Sequence, residues 1–308
     1  MPTIDLSTPP PPPSGLLDAL PRRVALTLPE LRLVAERAGG APLPFDVVEP
    51  SGSHALEGRL GESRTSAEDA AYATGIASLH DPQATLERRG LLNGDGAGDG
   101  LVGAVGLLAT PVTAVDIDVA ARGIRARSWH RQSADAVATL STVDGVVFEL
   151  AWFPASQWPS ELGRVGVLPE DLPVRASTVP PYVDVPFELA DAAAEAARSG
   201  RSDLVPILAA QHNGEVVDAD GAPLSELEIN SVLRAFSLES QGRLRALVAD
   251  VSGDATTVVG VVSWTLLADG WYALRPRNVE GAHRVHIERV DPSDLAIELA
   301  PVLAEVMA

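Results

Sequence analysis

His283 and His286 stand three residues apart in AHRVHIE (282–288), with Glu288 two further on. These are the residue types of a metal site, and the chain has only 6 histidines. The secondary structure decides whether they meet. Val285, Ile287 and Val290 alternate with polar residues, the pattern of a strand, in which successive side chains point to opposite faces. His283 and His286 then lie on opposite sides and cannot share an ion. His286 and Glu288 share a face, but two ligands do not complete a site. The stretch reads as an outward-facing polar row.

Other chemistry fares no better. In NGDGAGDG (93–100), a calcium loop begun at Asn93 would put Ala97 at its fifth position and Ala104 where a bidentate Glu belongs, so a flexible glycine-rich loop is expected. There is no G-x-S-x-G, and no pattern ties histidines 54, 80, 130, 212, 283 or 286 to a Ser and an Asp. GLVGAVG (100–106) follows a loop rather than a strand, which argues against a dinucleotide fold. All 23 basic residues are Arg, so a phosphate-binding P-loop and Lys Schiff-base chemistry are excluded. Cys is 0, which removes thiol catalysis, disulfides and zinc–cysteine sites and fits a reducing compartment. No metal, no cofactor and no enzymatic activity are expected. The alternative is a small-molecule-binding or hydrolytic α+β protein.

A formal charge of −19 argues against general affinity for nucleic acid or anionic membrane. One local feature reverses that sign. In GIRARSWHRQ (123–132), alternation puts Arg125, Arg127, Trp129 and Arg131 on one face, and Arg243 and Arg245 repeat the arrangement in GRLRALVADV (242–251). Arg and Trp are the residues enriched in interface hot spots. The competing reading is a solvated sheet face paired with nearby acids.

The elements that would carry these residues can be read in order. Residues 1–22 contain five consecutive prolines and read as a disordered tail, without the basic and apolar regions of a secretory signal. No run reaches the roughly 18 apolar residues of a membrane span. VALTLPEL (24–31) runs from strand into helix, with Thr27 and Glu30 at capping-box spacing. Residues 41–65 read as loop. A helix is expected from Ser66 with a Tyr72, Ile76, Leu79 stripe, then helices at 83–92 and 100–109. Strands follow at 114–119, 123–132, 134–143 and 146–153, with a turn at Asp144-Gly145, and a helix over 156–165.

The second half repeats the order. Helices are expected at 187–200, 202–211 and 223–236, the last with a Ser225, Glu228 capping box. Strands follow at 242–251, 256–267, 271–276 and 282–290, and a final helix is capped by residues 291–294. Residues 123–126 match residues 243–246, and Asp144-Gly145 matches Asp269-Gly270. The expected organisation is a first α+β half over 23–168 and a second over 169–308, an internal duplication about a quasi-twofold axis.

This layout resembles the EspG family, the cytosolic chaperones of type VII (ESX) secretion in actinobacteria. The resemblance rests on LTLPELRLVAERAGGAPLP, on LERRGLLNGDGAGDGLVGAVGLLATPVTAVDIDV, on GRLRALVAD and on WYALRP…VHIERVDPSDLAIEL, in that order over residues 23–306. It implies a central antiparallel sheet with two helical subdomains. It also implies a cytoplasmic, non-enzymatic chaperone, monomeric or homodimeric, that binds PE–PPE-like helical heterodimers and shields an apolar tip, without nucleic acid or membrane insertion. The sheet region and a helical subdomain would make the contact, which directs attention to Arg125, Arg127, Trp129, Arg243 and Arg245 and, for apolar contact, to Leu227, Val232, Leu233 and Phe236. The turn Ala121-Arg122-Gly123 is short where many members carry a long loop, and the proline tail is an extension.

Overall fold

Thr27 ends the first strand and starts the first helix. Its hydroxyl accepts from Glu30 N, while Glu30 accepts from Thr27 N at 2.8 Å, so two of the helix's unpaired donors are satisfied reciprocally. The computed structural model describes residues 21–45, 75, 81–93, 96–170, 172–253 and 255–306. The proline run and, apart from residue 75, the helix expected from Ser66 lie outside the described residues, as does most of the loop expected at 41–65.

Among the described residues there are twelve strands: β1 (Arg22–Thr27), β2 (Leu92–Asn93), β3 (Gly96–Ala97), β4 (Thr113–Ala121), β5 (Ile124–Ser133), β6 (Ala136–Thr142), β7 (Val147–Pro154), β8 (Tyr182–Pro186), β9 (Gly242–Asp250), β10 (Thr257–Leu267), β11 (Gly270–Val279) and β12 (Ala282–Val290). The helices are α1 (Leu28–Arg37), α2 (Pro82–Arg88), α3 (Asp99–Ala109), α4 (Trp158–Val165), α5 (Phe187–Arg198), α6 (Val205–Gln211), α7 (Glu226–Glu239) and α8 (Asp294–Val306). None of them is long and apolar enough to cross a membrane. The chain is α+β. Ten strands form an antiparallel sheet in the order β1-β7-β6-β5-β4-β9-β10-β11-β12-β8.

Two compact units can be drawn. The first takes the described residues of Met1–Ala114, Ser128–Gln157 and Val251–Ala255. Its core gathers Leu26, Leu31, Val34, Leu86, Leu101 and Val105 against Leu140, Phe148 and Leu150. Glu30 is buried there and receives Arg89, which ties α1 to the end of α2. The second unit takes Val115–Arg127, Trp158–Asp250 and Thr256–Ala308. On one sheet face Leu267, Tyr272 and Ile287 pack under Leu189, Ala209, Ile229 and Val232 from α5, α6 and α7. The opposite face carries Trp264 and Trp271, and Glu298 of α8 accepts from Trp264 Nε1 at 3.1 Å and from Arg275 at 2.8 Å.

Three sequence expectations change. Leu92–Asn93 (β2) pairs antiparallel with Gly96–Ala97 (β3), where a loop was expected from Asn93. Residues 182–186 form β8, paired with β12, where the sequence reading placed no element between 165 and 187. The expected internal duplication is not shown: β2 and β3 lie among the first helices without a counterpart among the later ones, and the residue match is displaced between the strand sets β4–β7 and β9–β12. Residues 123–126 open the second strand of the first set, whereas 243–246 lie in the first strand of the second set. Asp144-Gly145 joins the third and fourth strands, while Asp269-Gly270 joins the second and third.

Candidate partner-binding surface

The histidines were the first candidates for chemistry. β12 is a strand, and His283 and His286 stand opposite Asn278 and Arg275 of β11. His286 is not an outward polar group. Its Nε2 lies 3.3 Å from Asp184, its Nδ1 lies 3.4 Å from the Tyr182 hydroxyl, and Arg284 donates to both carboxylate oxygens of Asp184 at 2.9 Å. The reason is β8, which brings Asp184 across from His286. Glu288 pairs with Arg275. Among the described residues no three His, Asp or Glu side chains gather as a metal-binding set.

Ser128 Oγ lies 2.9 Å from His130 Nε2, the geometry of a nucleophile and its base. The two side chains are 5% and 1% exposed. Burial, followed by the charge of Arg131, lowers the His130 pKa to about 3. An imidazole so weakly basic is poorly matched to proton abstraction near neutral pH. The pair is a hydrogen bond of the core.

The arginine row assembles from two local devices in the second unit. Arg122 and Gly123 have φ of 47° and 85° and join β4 to β5 as a two-residue turn whose twist matches that of the strands. That turn sets Asp118 opposite Arg127. One carboxylate oxygen of Asp118 accepts from Arg125 Nε at 2.8 Å and lies 3.7 Å from Arg127 Nε. The second device is the β4–β9 pairing. Val251 N donates to Val112 O, and Arg122 N donates to Gln241 O, both at 3.0 Å. These two bonds have the same antiparallel offset, which sets Asp118 opposite Arg245 and Ala120 opposite Arg243. On the far side of β9, Arg245 and Arg243 face Ser263 and Thr265 of β10. Cross-strand partners share a face, so Arg125, Arg127, Arg243 and Arg245 form one exposed group around Asp118. The Arg122, Arg125 and Arg243 side of it borders an open groove of about 410 Å³.

Trp129 does not belong to that exposed group. It follows the alternation but is 8% exposed, in the core of the first unit, with its ring 5.1 Å from that of Phe45. Arg131 is buried too and donates to the His130 carbonyl. Periodicity gives the face of a side chain and says nothing of the helices that cover it.

The α7 residues separate by helical phase. Ile229, Val232 and Ala235 point inward, so Val232 is core and not a contact residue. Leu233 and Phe236 are half-buried and pack against the same core. Leu227 is 78% exposed. Leu238, 77% exposed, and Arg234 share its side of the helix and went unnoticed in the sequence. With Ser231 they form a stripe at spacings of four, three and four, beside an open groove of about 580 Å³ that Arg175 also lines. Asp118 was missed as well, although its alternation with Ile117 in AVDIDV signals an outward carboxylate.

The fold and this surface together define an α+β chain with a basic sheet face and a helix stripe that exposes two leucines. No protein-family model and no curated protein matches the sequence. The chain is similar to a solved structure, that of the Mycobacterium tuberculosis type VII secretion system chaperone EspG5 in complex with a PE25-PPE41 dimer. The TM-score is 0.57 at 11% identity, over 92% of this chain and 96% of that one. At that identity the likeness is one of fold.

Proposed function

We propose that this chain is a non-enzymatic secretion chaperone of the cytoplasm. It binds a PE–PPE-like pair of helical proteins, covers the apolar tip of that pair and keeps it soluble before export. The observation that carries this reading is the likeness in fold, along nearly the whole chain, to a chaperone solved with such a dimer. The exposed surface agrees with it. Leu227 and Leu238 offer apolar contact on α7, and Arg125, Arg127, Arg243 and Arg245 offer charge. The test is co-expression with the helical secretion substrates encoded by the same genome. The expected result is a stable complex and a rise in the soluble substrate fraction. Substrates that stay equally insoluble with and without the chain, and that form no complex with it, would refute the reading.

A further inference from the structure

Four guanidinium groups on one sheet face, in a chain of charge −19, need an explanation. Asp118 is the carboxylate that meets them, and it is engaged by Arg125 and Arg127. Arg243 and Arg245, both exposed, form no ion pair among the described residues. Like charges held close together on one sheet face repel one another. A sheet that keeps them there is ready to gain from a counter-charge brought by another molecule.

We infer that this face docks a protein helix carrying carboxylates on one side, and that Asp118 is an internal competitor which the incoming carboxylates outnumber. The inference rests on the proposed chaperone reading and specifies the chemistry of its partner.

The geometry selects a helix. Arg243 and Arg245 are two residues apart on one strand, about 6.6 Å along it. Arg125 and Arg127 repeat that step on β5, which lies two strand spacings away, roughly 10 Å. Carboxylates at i and i+3 or i+4 of a helix stand about 5–6 Å apart at Cβ and point to one side, so one helix can present consecutive acids to one arginine pair. Each guanidinium can then grip a carboxylate through two parallel N–H groups. Nucleic acid also carries anions, but the field of this chain repels a polyanion along its length. The screening length of roughly 8 Å at physiological salt confines the attraction to the patch.

The probe is a helical Ala-rich peptide with Glu at every fourth position. Its Lys counterpart and a short DNA duplex serve as controls. Binding is followed by fluorescence anisotropy between 50 and 300 mM salt, over which the screening length falls from roughly 14 to roughly 6 Å. The Glu peptide is expected to bind and to weaken as salt rises. Arg243→Gln with Arg245→Gln should lower its affinity about tenfold and flatten the salt dependence. Asp118→Asn should raise affinity several-fold, a change of sign that misfolding does not produce. Equal binding of the Lys peptide or the DNA, or an unchanged affinity in the double variant, overturns the inference. The same double variant separates the two readings. If it holds a helical substrate pair as tightly as the wild type, the surface is wrong and the chaperone reading stands. If the Glu peptide binds as expected while no substrate pair is held, the chaperone reading falls and the surface stands.

Discussion

Trp271 Nε1 donates a hydrogen bond of 2.7 Å to the carbonyl oxygen of Gly166, 105 residues earlier in the chain. The ring is buried, and Gly166 itself is pressed by Pro292 and Trp264. Trp271→Phe keeps most of the ring and leaves the carbonyl without its donor. The expected loss is about 1–3 kcal/mol, read from urea unfolding. A smaller change would mean that water replaces the indole.

His130 makes stability depend on pH. Its folded pKa of about 3 lies below the ordinary 6.5, so the unfolded chain takes up a proton first as pH falls. The contribution is complete above pH 6.5 and is lost as pH drops toward 3, at up to about 1.4 kcal/mol per pH unit. His130→Gln should lower stability at neutral pH and make the decline below pH 6.5 shallower. Parallel curves for the two proteins would remove His130 as the cause.

Trp129 and Arg125 are two positions apart in one row and should respond oppositely. Trp129→Ala is expected to cost about 3–5 kcal/mol of stability, as for other buried aromatics. Arg125→Glu should leave stability within about 0.5 kcal/mol and slow association with an acidic partner. Thermal melts and association rates on both variants check this.

Gly242 begins β9 where a Cβ would run into the backbone carbonyl of Ala120. Backbone cannot rotate away as a side-chain tip can. Gly242→Ala should therefore destabilise by about 1–3 kcal/mol. The effect should appear as a lower melting temperature, and the same substitution at Gly253, which has open space around it, serves as the control.

Leu227 and Leu238 are exposed at opposite ends of α7. Replacing both with Ser should leave the melting temperature nearly unchanged and weaken capture of a helical substrate pair. A fall in stability with capture unchanged would make the stripe part of the fold rather than of the surface.

Local signals were readable in the sequence and distant ones were not. The Thr27–Glu30 and Ser225–Glu228 capping boxes both form, because the spacing of three residues is the whole of their geometry. The alternation of GRLRALVAD placed Arg243 and Arg245 on one face, and both are exposed while Leu244 and Ala246 between and beyond them are buried. Trp129 went astray because the residues that bury it, Phe45 among them, are far away in sequence. β8 was hidden because it is only five residues long, follows Pro180-Pro181 and ends on Pro186, although Val183 and Val185 do alternate with Asp184. Its existence depends on β12 being there to pair with. Asp118 acquires meaning only when a turn and two neighbouring strands bring arginines to it.

The compact units interleave along the chain, and this bears on how the molecule is made. Residues 251–255 belong with the first unit, where Val251 N closes onto Val112 O, yet they follow most of the second unit in sequence. A ribosome releasing the chain from its N-terminus cannot finish the first unit until residue 255 has emerged. Until then Val112 O lacks that donor, and the nascent protein must hold a partly assembled sheet while α5, α6 and α7 are still being synthesised. A chain stopped after residue 157 would therefore lack Val251, the donor that closes onto Val112 O.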